Sequence, residues 1–441
     1  MTLTPALVKS TVVAALGGLL FGFDTAVIAG TTAGLTATYH LSNQGLGFTV
    51  AIALIGTILG AMFAGYPGDR LGRRDSLRIM AVLYLVSAIG CGLAWNWPAL
   101  LAFRFLGGLG IGGSSVLGPM YIAEISPARW RGRLVGFFQI NVVVGILLAY
   151  LSNYLIGLAG FGREEWRWML GVSGIPAFFF FLMLFGIPRS PRWLVQKGRR
   201  DEARAVLEAI GEPDVERELE DIALSVRGMG EASEPLFTRK YRFPIFLAVS
   251  IAAFNQLSGI NAILYYLNAI FARAGFSKVS ADLQSVLIGF TNLVFTLIAM
   301  SIIDRFGRKK LLIVGSIGTA ASLAGVAAIF YAKSHEYLLV WFLASFIAFF
   351  SFSQGAVIWV YISEVFPNRV RAKGQSLGSL THWALNAAIS FGFPVIAAKS
   401  GGAPFIFFSA MMMLQLLVVS LWYPETKGVT LEEMQRKLSI A

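Results

Sequence analysis

Long apolar segments alternate with short polar joints along the whole chain. A run of roughly 20 apolar residues can cross the ~30 Å hydrocarbon layer of a bilayer as a helix. Helices are expected for runs of this length, because a spanning segment must satisfy its own backbone hydrogen bonds. The pattern predicts twelve spans, at 8–30, 49–66, 77–94, 98–121, 134–158, 168–187, 243–272, 283–303, 311–332, 337–362, 376–398 and 404–422.

Composition supports this pattern and excludes a soluble globular protein. Of the 441 residues, 56% are hydrophobic and 14% are charged, and the mean hydropathy is +0.69, whereas soluble domains carry about 25% charged residues. No cluster of cysteine and histidine has the spacing of a metal site. We therefore expect neither a metal nor a cofactor.

The net charge of +12 is distributed unevenly when the spans alternate in direction from a cytoplasmic N-terminus. Arg104 lies within a span, six basic residues face outward, and the other 29 of the 36 lie on the cytoplasmic side. The outward residues are Arg163, Arg167, Arg273, Lys278, Lys333 and Lys399. This is the positive-inside pattern, which predicts a membrane protein with both termini in the cytoplasm and does not indicate a nucleic-acid partner.

Two sequence motifs occur twice. Residues 69–74 return as 304–309 at an offset of 235, and residues 124–131 return as 364–371 at an offset of 240. The repeats predict two six-helix halves, 1–188 and 243–424, with a tail at 425–441. Between the halves, apolar residues at helical spacing in 201–210 and 215–226 predict short cytoplasmic helices within a linker at 189–242, with a disordered linker as the alternative.

The chain resembles the sugar porters of the major facilitator superfamily. The resemblance rests on residues 17–30, the Asp-Arg-x-Gly-Arg repeats at 69–73 and 304–308, and residues 188–194, 256–261 and 424–428. It implies an all-α membrane protein with the major facilitator fold and a substrate site between the halves, which work by alternating access. The members that this chain resembles are bacterial proton-coupled monosaccharide symporters, so the resemblance implies a location in a bacterial inner membrane. The expected partners are a monosaccharide, protons and the lipid bilayer, and we expect a monomer.

Asp24 and Arg104 are the two charged residues that the pattern clearly places at membrane depth. A charge there costs at least ~2.5 to 3.5 kcal/mol, which makes such residues functional candidates. An aspartate whose distance from an arginine changes during transport can bind and release a proton. The resemblance also implies coupling, since uniporters usually carry Asn at position 24. A static structural ion pair is the alternative.

A sugar pocket should offer amides for the hydroxyls and an aromatic ring for the apolar face. Candidates from five spans are Gln139, Asn255, Gln256, Asn261, Asn292, Trp359, His382, Trp383 and Asn386. Gln256 and Asn261 flank Ser258-Gly259, which predicts a break where backbone can approach the ligand. The resemblance places sugar contacts on Gln139, Gln256, Asn261, Asn292 and Trp359, with Trp383 lining the pocket. Amides that only join helices are the alternative.

The resemblance also implies gates. Tyr265 and Tyr266 match the aromatic pair of an outer gate, with anchoring at the membrane interface as the alternative. The chain has Asn255 where many members have Gln, His382 where they have an amide, and Gly355-Ala356 in place of Gly-Pro. Loss of the proline leaves Gly355 to provide flexibility. His382 is expected to bind substrate by hydrogen bonds, with proton transfer as the alternative, and the identity of the sugar stays open.

Charged residues recur at the predicted cytoplasmic ends of the helices. They comprise Arg70, Arg73, Arg74, Glu124, Arg131, Asp304, Arg305, Arg308, Glu364 and Arg371. We predict that Arg73, Glu124, Arg131, Arg308, Glu364 and Arg371 form an inner gate, for which several pairs are needed because each exposed pair contributes only ~0 to 1 kcal/mol. Anchoring at lipid headgroups is the alternative.

Other functions fit the sequence less well. Asp24 argues against a uniporter, and the short tail argues against a sugar sensor. An organic-acid carrier should have more basic residues facing the pocket than Arg104 alone. A drug carrier should lack the amide cluster. An enzyme is not expected because no nucleophile lies beside a base or metal site. Residues 108–113 match a dinucleotide-binding pattern but lie inside a span without a preceding strand.

Overall fold

The computed structural model describes residues 3–127, 129–228, 234–429 and 431–438. These residues form helices and connecting loops, and none of them lies in a β-strand. Twelve segments in these ranges are long and apolar enough to cross a membrane. The structure thus confirms the predicted all-α membrane fold with twelve spans.

The first six spans contain eight α-helices. They are α1 (Pro5–Tyr39), α2 (Asn43–Phe63), the short α3 (Gly65–Leu71), α4 (Arg73–Gly92), α5 (Trp97–Ile125), α6 (Arg131–Ala159), and α7 (Glu165–Gly171) with α8 (Gly174–Met183) in the sixth span. Short 3₁₀ turns at Gly162–Glu164 and Leu184–Gly186 flank the last pair. Local signals fix the ends, since Asn96 accepts a hydrogen bond from the backbone N–H of Ala99 at 2.8 Å and so caps α5.

Three short helices lie in the linker, and the second and third of them match the helices predicted at 201–210 and 215–226. They are α9 (Pro191–Gln196), α10 (Arg200–Ile210) and α11 (Val215–Gly228). The alternative of a disordered linker is wrong for these residues. The threonine hydroxyl of Thr4, just before α1, donates to the carbonyl of Ile210 at 3.1 Å, which ties the linker to the start of the chain.

The last six spans are more interrupted. They consist of α12 (Arg242–Leu257), α13 (Ile260–Tyr265) and α14 (Leu267–Arg273), then α15 (Lys278–Phe306), α16 (Arg308–Ala332), α17 (Leu339–Phe352) with α18 (Gln354–Val365), α19 (Asn368–Lys399) and α20 (Ala403–Trp422). A tail helix, α21 (Leu431–Lys437), follows. Short 3₁₀ turns precede α12 at Arg239–Tyr241 and α17 at Glu336–Leu338.

Contacts between residues divide the chain into two compact units. One comprises Met1–Val27, Ile52–Ser152 and Phe161–Ala232, and the other comprises Ile28–Ala51, Asn153–Gly160 and Ser233–Ala441. The domain boundaries predicted from the sequence remain predictions.

Small residues permit close helix packing inside the first unit. A Cβ on Gly108 would lie 2.0 Å from the carbonyl oxygen of Ala53, and one on Gly112 would lie 2.1 Å from that of Thr57. Only glycine fits at such distances, so α5 packs backbone to backbone against α2. The glycine pattern at 108–113 therefore serves helix packing.

Candidate functional site

The seventh span is broken between its amide residues, as the sequence predicts. Gly259 has φ +81°, and a Cβ there would lie 2.3 Å from the Phe408 ring, so only glycine fits this position. Ser258 stabilises the break, because its hydroxyl donates to the carbonyl of Asn255 at 2.6 Å and accepts from the N–H of Ile260 at 3.3 Å. The break places the ends of α12 and α13 beside each other.

Gln256 lies at the centre of a buried polar cluster. Its Nε2 donates to Asn255 Oδ1 at 3.0 Å, and its Oε1 accepts from Asn261 Nδ2 at 3.1 Å across the break. The same Nε2 lies 3.2 Å from both ring nitrogens of His382 on α19. The structure thus brings together four of the predicted pocket residues, in one hydrogen-bonded cluster.

Aromatic rings enclose His382. Its imidazole centroid lies 5.2 Å from the Trp359 ring and 5.0 Å from the Trp383 ring, the second in an edge-on arrangement. Trp383 and His382 are buried, whereas Trp359 is 40% exposed. Part of the Trp359 side chain is therefore accessible beside His382, which suits contact with the apolar face of a sugar ring.

The other pocket candidates occupy separate positions. Asn292 on α15 is buried, and its Oδ1 accepts from Ser351 at 2.8 Å and from Thr296 at 3.4 Å. Gln139 lies in the first unit, on α6, with an exposed side chain. Asn386 donates to the hydroxyl of Tyr265 at 3.2 Å, so it lies with the tyrosine pair.

Tyr265 and Tyr266 are both buried at the end of α13. The Tyr266 hydroxyl donates to the carbonyl of Ser390 at 2.9 Å, and its ring stacks on Phe393 at 5.3 Å. An anchor at the membrane interface would expose its ring to the headgroups. The burial of both rings against α19 does not fit that alternative.

The tenth span is broken at Ser353, two residues before Gly355. Helix α17 ends at Phe352, α18 begins at Gln354, and Ser353 has φ −114° and ψ −91°. Gly355 itself lies inside α18. The sequence assigns the flexibility of this span to Gly355, whereas its non-helical residue in the structure is Ser353.

Arg104 and Asp24 form an ion pair between α5 and α1. The Nη1 atom of Arg104 donates to Asp24 Oδ1 at 3.1 Å, and the side chains are 4% and 17% exposed. The Nε atom of Arg104 is buried without a hydrogen-bond partner among the described residues. The structure thus joins the two charged residues that the sequence places at membrane depth.

Two ion pairs lie at equivalent positions of the two repeats. Arg73 Nε donates to Glu124 Oε1 at 3.0 Å, and Arg308 Nη2 donates to Glu364 Oε1 at 2.9 Å. Each pair lies within one unit. Arg73 also donates to the Gly68 carbonyl at 2.7 Å. Acid and base of the repeated motifs therefore meet in both halves.

The other predicted gate residues contact backbone atoms. Arg131 donates to the carbonyl of Ser126, and Arg371 donates to that of Phe366, both at 3.4 Å. These contacts are again equivalent in the two repeats. The side chain of Asp304 lies outside the described residues.

The sequence analysis missed Glu425 as a helix cap. Its carboxylate accepts hydrogen bonds from four backbone N–H groups, those of Arg308, Lys309, Thr426 and Lys427, at 2.9 to 3.1 Å. Glu425 thereby caps α16, which begins after Gly307 at φ +89°. Arg189, the first residue of the predicted linker, donates to Asp75 on α4 at 2.9 Å.

Asp282, which the sequence pattern does not place within a span, is 2% exposed. The predicted eighth span began at residue 283, whereas α15 begins at Lys278. The earlier start brings this carboxylate into the span.

Comparison with known proteins agrees with the resemblance. A family described as "Sugar (and other) transporter" matches residues 10–438. The D-xylose-proton symporter of Escherichia coli is 36% identical, with 96% of this chain and 94% of that protein covered. The glucose facilitated diffusion protein of Zymomonas mobilis is also 36% identical, with coverage of 96% and 95%. A solved structure of the E. coli xylose transporter XylE in an inward-open conformation gives a TM-score of 0.87 at 35% identity, covering 98% of this chain and 99% of that chain.

Proposed function

The chain belongs to the sugar (and other) transporter family, and from this premise we propose that it is a proton-coupled monosaccharide symporter that works by alternating access. Relatives of equal identity are named for proton symport and for facilitated diffusion. The family alone therefore does not distinguish the two modes. The observation that carries the proposal of coupling is the buried ion pair of Asp24 and Arg104.

The ion pair can link protonation to conformation. While Asp24 is ionised, its attraction to Arg104 stabilises the arrangement in which α1 and α5 hold the two groups together. Protonation of Asp24 removes that attraction and favours an arrangement in which the groups separate. A proton taken up on one side is thus released on the other as the conformational equilibrium shifts.

We place the sugar beside the break of the seventh span. Gln256, Asn255, Asn261 and His382 supply donors and acceptors, and the exposed indole of Trp359 supplies an apolar surface. Amides suit neutral hydroxyls, each of which both donates and accepts. The remaining proposed contacts are Gln139, Asn292, Trp383 and Asn386.

The tyrosines and the repeated ion pairs are proposed as gates. Tyr265 and Tyr266 form the outer gate, because they directly follow the sugar-binding break and attach it to α19. Arg73–Glu124 and Arg308–Glu364, with Arg131 and Arg371, form the inner gate. Ser353 with Gly355 gives α18 freedom to move.

The positive-inside distribution supports a cytoplasmic location of both termini, and the bacterial relatives support a bacterial inner membrane. We propose that the protein acts as a monomer in the lipid bilayer.

Uptake into proteoliposomes tests the function. Labelled pentoses and hexoses, with D-xylose and D-glucose among them, are supplied with and without an imposed inward proton gradient. We expect accumulation of at least one sugar above its outer concentration only with the gradient. Equal final levels in both conditions would indicate facilitated diffusion, and absence of uptake of every sugar would contradict the proposed function.

A further inference from the structure

Helix α14 directly follows the two tyrosines and is attached on two sides. On one side, Tyr266 donates to the carbonyl of Ser390 at 2.9 Å, and Arg273 donates to the carbonyl of Ala397, both on α19. The acceptors on that side are backbone carbonyl groups, which do not titrate. The other side is attached to α15 in a different way.

On that side, the amide of Asn268 bridges two buried residues of α15. Asn268 Nδ2 donates to Asp282 Oδ1, and Ser285 Oγ donates to Asn268 Oδ1 at 3.0 Å. Asp282 and Ser285 are 2% and 1% exposed and lie three residues apart, so they share one face of the helix. The hydroxyl of Ser285 fixes the amide oxygen, and the amide nitrogen consequently faces the carboxylate.

A carboxylate makes this attachment dependent on charge. A hydrogen bond to an ionised acceptor is roughly twice as strong as one between neutral groups. Loss of the charge on Asp282 would therefore weaken the contact of α14 with α15, while the contacts with α19 would be unaffected.

Two basic residues lie where α14 ends and α15 begins. Lys278 lies one turn before Asp282 on α15, and Arg273 ends α14. Helix α17, which packs along α15, has no titratable residue. The titratable residues on α16 and α18, which also contact α15, are Arg308, Lys309, Lys310, Tyr331, Tyr361 and Glu364.

We propose that Asp282 is a positioning residue of the outer gate, whose charge holds α14 through Asn268 and whose protonation from the outer side loosens the segment that carries Tyr265 and Tyr266. The inference rests on the proposed function, which makes this segment the outer gate and places the loop at 274–277 outside. It adds a second proton-responsive group, separate from the Asp24–Arg104 pair. Low outer pH would then favour opening toward the side from which protons and sugar enter.

Hydrogen exchange of residues 260–273 tests the proposal in the full chain reconstituted in lipid nanodiscs. The pH is varied from about 4.5 to about 8, which covers the range in which perturbed carboxyl groups titrate, and rates are corrected with an unstructured peptide. In the wild type we expect the corrected exchange rate of residues 260–273 to rise by about fivefold as the pH falls. Local opening of this segment depends on the contacts that hold it, and the contact between Asn268 and Asp282 weakens on protonation. Asp282→Asn should exchange rapidly at every pH, without a pH response.

Ser285→Ala is the matched control, because it removes the uncharged hydrogen bond from the Ser285 hydroxyl to Asn268 and keeps the carboxylate of Asp282. It should raise exchange yet keep the pH response, and Asp282→Glu should restore a response. A wild type without a pH response, or an Asp282→Asn protein that keeps it, would overturn the proposal. Hydrogen exchange can be measured without sugar transport. A pH response that is present in the wild type and absent in Asp282→Asn would therefore support the inference even if no sugar were transported.

Discussion

Arg104 donates a hydrogen bond to Asp24 across 3.1 Å, and both side chains are mostly buried between apolar helices. Asp24→Asn keeps the shape of the protonated acid but cannot titrate. We expect it to retain sugar binding and exchange at equal concentrations, and to lose accumulation driven by a pH gradient. Uptake and counterflow of labelled sugar in proteoliposomes measure the two activities.

Asp201→Asn is the control for this prediction, since it removes an equal charge from the exposed start of α10. It should accumulate sugar as the wild type does. An Asp24→Asn protein that still concentrates sugar would exclude Asp24 as the coupling site and make His382 the next candidate.

Gln256 and Asn261 are expected to bind the sugar, because their side-chain amides are hydrogen-bonded to each other across the break of the seventh span. Alanine at either position should weaken binding at least tenfold, which is ~1.4 kcal/mol. Binding is measured by calorimetry with the sugar that uptake identifies. Asn141→Ala is the control, because Asn141 donates to the Phe137 carbonyl on its own helix. Unchanged affinity in both pocket variants would contradict the assignment.

His382→Phe separates the two contributions of the imidazole. Phenylalanine keeps a ring between Trp359 and Trp383 but removes the polar contact with Gln256. We expect about a tenfold loss of sugar affinity, the size of one lost hydrogen bond in a buried site. His382→Gln, which restores an amide, should recover most of it. If His382→Phe binds sugar normally, the ring acts by packing alone.

The inner gate is tested by neutralising both of its acids. Glu124→Gln with Glu364→Gln removes the partners of Arg73 and Arg308, which should open the cytoplasmic side more often. The reporter is a single cysteine introduced at the cytoplasmic end of a pocket helix after Cys91→Ser, and its reaction with a thiol reagent added from that side is timed. Unchanged labelling would leave these residues as membrane anchors.

Glu425→Gln should destabilise the second half of the protein. The substitution replaces a charged cap that accepts four backbone N–H groups at the start of α16, and loss of a cap costs about 0.5 to 2 kcal/mol. Thermal unfolding in detergent measures the effect. Glu208→Gln on the exposed face of α10 should leave unfolding unchanged. An equal unfolding temperature for both variants would show that the cap contributes no stability.

The sequence by itself determined the twelve spans, the repeated motifs and the linker helices. These depend on local properties, because the bilayer requires about 20 apolar residues per span wherever that span packs. It also identified Asp24 and Arg104, since a charge inside an apolar run is visible without knowing its partner. The break at Ser258-Gly259 was visible because glycine and serine interrupt an apolar helix between two amides.

Only the tertiary structure decided which groups meet. Arg131 and Arg371 contact backbone carbonyls although acidic residues of the same motifs are near in sequence. Asp282 lies buried where α14 packs against its helix and Asn268 donates to the carboxylate. Similarly, the tenth span is non-helical at Ser353, whose Oγ would lie 1.9 Å from a Cβ on Gly315 of α16. Such contacts depend on which faces of distant helices pack together, and hydrophobic periodicity along one helix does not encode the rotation of its neighbour.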